Sequence, residues 1–251
     1  MIKTIDKLKV VKAKTRNELG KLAAAAVFEK IEELMQTREH LNIIFAAAPS
    51  QNEFLENLVQ KPIKWDRINA FHMDEYLGLP ADAVQGFGNF LSKAIFDKVG
   101  FRSVNFLNGN PLQPEQECDR YTKLIEANPP DIVCMGIGEN MHIAFNDPHV
   151  ANFEDPDKVK MVNLDKDCRQ QQVNDGCFAA INDVPSYALT LTIPTLMAAD
   201  HVFCMVPGAQ KAKAVQHTLN APITATFPST ILRKHPSAIL YVDEQSGEWI
   251  N

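Results

Sequence analysis

Two segments of the chain concentrate side chains able to move protons. Residues 71–80 read FHMDEYLGLP, where the adjacent carboxylates Asp74 and Glu75 precede Tyr76, a Gly78 turn and Pro80. Neighbouring carboxylates in a partly dry cleft push each other's pKa values apart, which leaves one usable as a general base. In isolation such a pair is more often a solvated acidic turn. Residues 136–149 read GIGENMHIAFNDPH and place Glu139, Asn140, His142, Asn146 and Asp147 behind Gly136 and Gly138. A histidine with an aspartate nearby shuttles protons at neutral pH, the carboxylate orienting the ring and steadying its charged form. The two glycines allow close backbone approach. A metal site built from His142, Asp147 and His149 is the weaker reading, since their spacing matches no standard ligand pattern, and no metal is expected.

Two cations complete the set. Lys211 follows Pro207–Gly208–Ala209–Gln210, in the first turn of an expected helix. A lysine beside the free N–H groups of a helix start suits a phosphate, although a surface lysine there is also ordinary. Arg169 lies in DKDCRQQQVNDG, surrounded by hydrogen-bonding side chains. The run Gln170–Gln172 with Asn174 reads either as a sugar-hydroxyl contact or as a solvated face.

The elements that must position these residues alternate in type. Thr15-x-x-Glu18 is a capping box that opens a helix to about His40, and Ser50-x-x-Glu53 is a second one after a strand at 42–47. Further strands are expected at 67–72, 104–107, 131–135, 189–193, 202–206 and 239–242, with helices near 87–99, 115–127, 210–219 and 229–234. This order predicts an α/β fold, a doubly wound and mostly parallel sheet with helices on both faces, in one domain over residues 1–251. Such sheets bind ligands beyond the carboxyl ends of their strands, which is where both proton-moving segments fall.

Composition narrows the function classes. The 251 residues carry 25 Lys and Arg against 31 Asp and Glu, a net charge of −6. No basic run exceeds two residues, so neither nucleic acid nor an anionic membrane is an expected partner. The longest uncharged stretch, 214–232, is broken by Pro222 and Pro228 and is not a membrane span. The first fourteen residues lack the continuous apolar core of a secretory signal. Five scattered cysteines without a C-x-x-C read as buried thiols of a cytoplasmic protein. Only 11 glycines are present, with no G-x-G-x-x-G and no Walker A string, so nucleotide binding lacks its usual support.

With those residues in view, the chain resembles the glucosamine-6-phosphate deaminase/isomerase family, which shares a Rossmann-like fold with 6-phosphogluconolactonases. The resemblance runs from about Leu41 to Val242 and rests on MDEYLGLP and HIAFNDP, supported by LNGN (107–110), VPSYALT (184–190) and PGAQKA (207–212). It implies conversion of an aldose 2-amino-6-phosphate and water into a ketose phosphate and ammonia, without cofactor or catalytic metal. Asp74 would then carry the proton from carbon 2 to carbon 1 of the opened sugar. His142 would serve in ring opening, with Asp147 orienting it where the family usually has Glu. Arg169 and Lys211 would hold the phosphate, Ser50 would align with a phosphate-binding Thr, and Glu75, Gly136 and Gly138 would line the substrate site. A small phosphosugar is the implied ligand, and a homo-oligomer is left open.

Three positions depart from the family pattern. The ring-opening Asp is Asn140 here, with Glu139 beside it as a substitute carboxylate. The following Gly is Met141, and the phosphate loop PTGGTP corresponds to AAAPSQ at 46–51, which has no glycine. These departures keep two alternatives open beside the deaminase: a sugar-phosphate lactonase, in which His142 activates water, and a phosphosugar sensor without turnover.

Overall fold

Short β-branched and apolar runs become the strands of two sheets. In the computed structural model, which describes residues 2–250, the elements are β1 (Ile2–Ile5), β2 (Leu8–Lys12), α1 (Arg16–Leu34), β3 (Leu41–Phe45), α2 (Asn52–Leu58), β4 (Ile68–His72), β5 (Asp74–Tyr76), α3 (Phe87–Leu91), β6 (Ser103–Asn105), α4 (Pro114–Ala127), β7 (Ile132–Met135), β8 (Val159–Asn163), α5 (Lys166–Asn174), β9 (Tyr187–Leu191), α6 (Ile193–Met197), β10 (His201–Val206), α7 (Ala212–Asn220) and β11 (Ala238–Val242). The larger sheet has the order β1-β2-β11-β10-β7-β3-β4-β6. Every neighbouring pair is parallel except the hairpin β1–β2. The chain moves outward from β3 through β4 to β6 and then resumes on the other side of β3 with β7, so the order reverses between β3 and β7. In doubly wound sheets that reversal opens the ligand crevice.

The strands separate two apolar layers. Along β7, Ile132 and Cys134 face the layer built with α1, α2 and α3, while Val133 and Met135 face the layer built with α4 and α7. This alternation, on strands buried from both sides, explains why they read as unbroken apolar runs. No helix among the described residues is long and apolar enough to cross a membrane. All five cysteines are free.

Several boundaries differ from the sequence expectation. Thr15 does cap α1, its Oγ1 accepting from the Glu18 N–H at 3.1 Å, but the helix ends at Leu34 and not near His40. Ser50 caps nothing: Pro49 starts a 3-10 turn over Pro49–Gln51, and α2 follows without a side-chain cap. Glu53, the other half of that box, instead pairs with Arg16 at 2.5 Å. The helix expected over 87–99 is α3 followed by a π turn at Ser92–Phe96, and the one expected over 229–234 is a 3-10 helix, Pro228–Lys234. The strand expected at 189–193 is β9, and it lies outside the parallel sheet. It forms the centre of a second, antiparallel sheet in the order β5-β9-β8.

Candidate active site

The crevice at the reversal is a cleft formed by the segments that leave β3, β4, β7 and β10. From β3 comes the glycine-free loop Ala46–Ser50, and from β4 come Met73 and Asp74. From β7 come Gly136, Gly138 and His142, and beyond β10 lies Lys211. The fourth wall is α5 and its end, through Gln171, Gln172 and Asp175.

Asp74 begins β5, where it pairs with Thr190 of β9. Its backbone is held from below by His72, whose Nδ1 donates to the Asp74 carbonyl at 2.9 Å while its Nε2 accepts from the Leu107 N–H at 2.9 Å. Burial brings the His72 pKa down to about 4, so this ring is a neutral strut. The Asp74 side chain lines the cleft and is 6% exposed. Burial, followed by repulsion from Glu75, holds its carboxyl well above the usual carboxylate range, with no hydrogen bond pulling it back. A carboxylate raised in this way is suited to accept a proton near neutral pH.

Glu75 has a different task from the one expected of it. Its carboxylate accepts from the N–H groups of Tyr76 (2.9 Å), Phe87 (2.9 Å) and Gly88 (2.8 Å), and it does not line the cleft. It ties the start of α3 to β5 and adds negative charge behind Asp74.

His142 lies opposite, packed flat on Gly138. A Cβ built on Gly138 would overlap the imidazole, so the absence of a side chain there sets the position of the ring. His142 Nδ1 faces Asn140 Oδ1 at 2.7 Å and Asp147 Oδ1 at 3.1 Å, leaving Nε2 for the cleft. Asp147 is fully buried. Burial alone would raise its pKa, but hydrogen bonds from His142, Asn140 and the Asp165 N–H, with the charge His142 carries when protonated, hold it below the ordinary value. The group is therefore an imidazole backed by a permanent anion, able to take up a proton at Nε2 and give it back.

Lys211 sits in the 3-10 turn Ala209–Lys211 that precedes α7, and its side chain is 4% exposed. Burial lowers its pKa, partly offset by the charges of Asp175 and Glu139. Its ammonium has no ion pair or hydrogen bond among the described residues, although it lines the cleft. A buried cation without a partner is costly, and an anion entering the cleft relieves that cost. Glu139 is half-buried beside it, with a pKa raised by burial, and does not line the cleft.

Arg169 is the clear correction. It lies on α5, but its guanidinium donates to the carbonyls of Ile181 (2.7 Å) and Val184 (3.0 Å), so it braces the segment before β9 and does not reach the cleft. The residues of α5 and its end that line the site are Gln171, Gln172 and Asp175, which with the buried Cys168 are spaced three and four apart on one helix face. Gln171 accepts from the Glu139 N–H at 2.7 Å and donates to Asp175 at 3.2 Å. Asp175 escaped the sequence reading, and that 3–4 spacing is the signal that reveals it. Ser50 lines the cleft, its Oγ accepting from Gln51 Nε2 at 3.0 Å.

The departures at 46–51 and 141 leave the cleft open. The loop has small alanines where it borders the site, and Gly136 supplies the clearance: a Cβ there would lie 3.1 Å from Gln51 Nε2 and 3.3 Å from Ser50 Oγ. Met141 adopts a left-handed backbone (φ 69°), but its side chain packs into the apolar core and lines no part of the cleft. His149 turns to Asn163 and Asp165, so the trio His142, Asp147 and His149 is not assembled. Donor atoms do cluster in His142–Asp147–Cys168 and Asp147–His149–Asp165. In both clusters, the oxygens of Asp147 already accept from Asn140 and the Asp165 N–H, a hydrogen-bond network and not an open ligand set.

Comparison with known proteins agrees with this arrangement. Residues 14–241 match the family model of glucosamine-6-phosphate isomerases/6-phosphogluconolactonase. The chain belongs to this family. A glucosamine-6-phosphate deaminase of Bacillus cereus (strain B4264) is 30% identical over 239 residues, covering 95% of this chain and 88% of the relative. Among solved structures, a monomeric glucosamine-6-phosphate deaminase superposes with a TM-score of 0.86 at 26% identity, covering 95% of this chain and 98% of its own. A 6-phosphogluconolactonase from Trypanosoma brucei superposes with a TM-score of 0.79 at 16% identity over the whole of both chains, which is a likeness of fold alone. Asp74, His142 and Lys211 all line the cleft at the β3–β7 reversal.

Proposed function

We propose that this chain is an enzyme that isomerises and deaminates an amino-sugar 6-phosphate of the glucosamine-6-phosphate type, releasing a ketose 6-phosphate and ammonia. The observation that carries the reading is the buried, hydrogen-bond-free Asp74 carboxylate in one cleft with the His142–Asp147 pair and the unpaired Lys211. Lys211 takes the phosphate, which fixes the far end of the sugar. His142, through Nε2, exchanges a proton with the ring oxygen and opens the ring, and Asp147 stabilises the imidazolium that forms. Asp74 removes the carbon-2 proton and returns it to carbon 1. With one amine proton passed to the carbon-1 oxygen, the product is a carbon-2 imine, which adds water and loses ammonia. Positioned acids and bases suffice for each step. A cytoplasmic setting belongs to the same reading, and the free thiols suit it.

The phosphate contact expected from Arg169 has no part in this reading, and Ser50 and Gln172 take its place beside Lys211. Incubation of the purified protein with glucosamine 6-phosphate and galactosamine 6-phosphate should release ammonia from at least one. No release from either at saturation, with rapid hydrolysis of 6-phosphogluconolactone instead, would replace this reading with the lactonase one.

A further inference from the structure

Asn140 uses every hydrogen-bonding position its amide has. Oδ1 accepts from His142 Nδ1 at 2.7 Å and from the His142 backbone N–H at 3.1 Å. Nδ2 donates to Asp147 Oδ1 at 3.0 Å and to Asp165 Oδ2 at 3.2 Å. The amide cannot be turned over: its NH2 would then meet the His142 N–H, and its oxygen would meet two carboxylates. Because the carbonyl faces Nδ1, the ring must carry its proton there, and Nε2 is left bare toward the cleft. Asp147 Oδ1, itself 3.1 Å from Nδ1, calls for the same tautomer, and the acidic pair at the Nδ2 end fixes which way the amide faces.

Asp165 is the half of that pair with no other link to the imidazole. It caps α5, Oδ1 accepting from the Cys168 N–H at 2.6 Å, while its own N–H donates to Asp147 Oδ2 at 3.3 Å. Its second oxygen is the one given to Asn140. A carboxylate at position 140, which the family resemblance would call for, meets Asp147 and Asp165 at hydrogen-bond distance with no proton between them. Three carboxylates in contact cannot all stay ionised, so one must protonate or the loop must open.

We infer that Asp165 is a positioning residue for the reaction proposed above, acting on His142 through Asn140, and that the amide at 140 is paired to the carboxylate at 165. The inference rests on the proposed function for its kinetic readout and on the geometry alone for its spectroscopic one. The pairing makes the two residues exchangeable. An amide at 165 still caps α5 through its oxygen, and its NH2 then donates to a carboxylate at 140, restoring that hydrogen bond with its direction reversed and leaving one carboxylate contact, 140 with Asp147, in place of two.

The test is the set Asn140→Asp, Asp165→Asn and the double variant, each checked for folding by thermal denaturation. Ammonia release should fall at least 10-fold in kcat for N140D, with a smaller change in KM, and the double variant should recover at least about 3-fold over N140D. A double variant no better than N140D overturns the pairing. The second arm is independent of activity: the imidazole nitrogen-15 shifts of His142, with Nδ1–H assigned in wild type, should move toward the doubly protonated imidazolium in N140D, where a third carboxylate joins the cluster, and part-way back in the double variant. Unchanged shifts across the set also overturn the inference. If wild type releases no ammonia while the shifts behave as stated, the proposed function fails and the positioning role stands.

Discussion

Replacing Gly138 by Ala tests the central geometry with one methyl group. Gly138 donates its N–H to the His142 carbonyl at 2.9 Å and accepts from the Met141 N–H at 3.0 Å, and its backbone is not in the left-handed region, so alanine is tolerated by the chain itself. The added Cβ, however, overlaps the imidazole at three ring atoms. Carbon atoms in contact settle at about 3.5–4.0 Å, so the ring has to retreat by about 1 Å or more. That displacement stretches the 2.7 Å contact to Asn140 and the 3.1 Å contact to Asp147 beyond hydrogen-bond range. A misplacement of ~1 Å in a catalytic group costs about 10²-fold in rate. The expectation is therefore a kcat for ammonia release about 100-fold below wild type, little change in KM because Lys211 is untouched, and a melting temperature within a few degrees of wild type. Steady-state kinetics with calorimetry would measure all three. A G138A protein with wild-type kcat would refute the placement of His142, and a fall confined to KM would show that the residue shapes binding and not proton transfer.

Asp74→Asn should lower kcat by about 10²- to 10⁴-fold and abolish carbon-2 exchange with solvent deuterium, measured by NMR, while phosphosugar binding persists. It should also raise the melting temperature at neutral pH. A carboxyl whose folded pKa is raised loses native-state stability as pH climbs from its unfolded value through its folded one, and the amide removes that loss. Lys211→Ala should raise KM more than it lowers kcat in steady-state assays, because a phosphate anchor acts on ground and transition states alike. Asp175→Asn removes a carboxylate beside Lys211 and should lower KM for the phosphorylated substrate by up to about 10-fold, an effect that shrinks with added salt. Arg169→Ala should leave KM within about 2-fold but lower the melting temperature, since its guanidinium is spent on the Ile181 and Val184 carbonyls.

The parallel strands and the helices of the doubly wound frame were readable because burial on both faces leaves an unmistakable apolar run, as at Leu41–Phe45 and Ile132–Met135. The cleft followed from them, since Asp74, His142 and Lys211 all come after strand ends. The small antiparallel sheet was not readable in the same way. β5 is three residues long, two of them acidic, and β8 buries only Val159 and Val162, three apart and out of strand period. The capping-box spacing at Ser50 failed because Pro49 begins a 3-10 turn one residue earlier and Arg16 draws Glu53 away. Arg169 failed for a rotational reason. Its neighbours Gln171 and Gln172 share a helix face with Cys168 and Asp175, and Arg169 points off that face, a distinction that residue type alone does not carry.

The placement of β9 has a consequence for how the two halves of the chemistry are kept in step. Asp74 pairs with Thr190, and the hydroxyl of that same Thr190 accepts from the Phe145 N–H at 3.1 Å, while Asn146 donates to the Leu191 carbonyl at 2.9 Å. The proposed base and the loop bearing the proposed ring-opening histidine therefore hang from one strand, whereas the phosphate anchor follows β10 of the other sheet. β9 thus sets the spacing of Asp74 and the His142 loop, and the packing seam between the two sheets sets the distance from them to Lys211. Substitutions along the seam, remote from any reacting atom, would retune which sugar fits without blunting the chemistry.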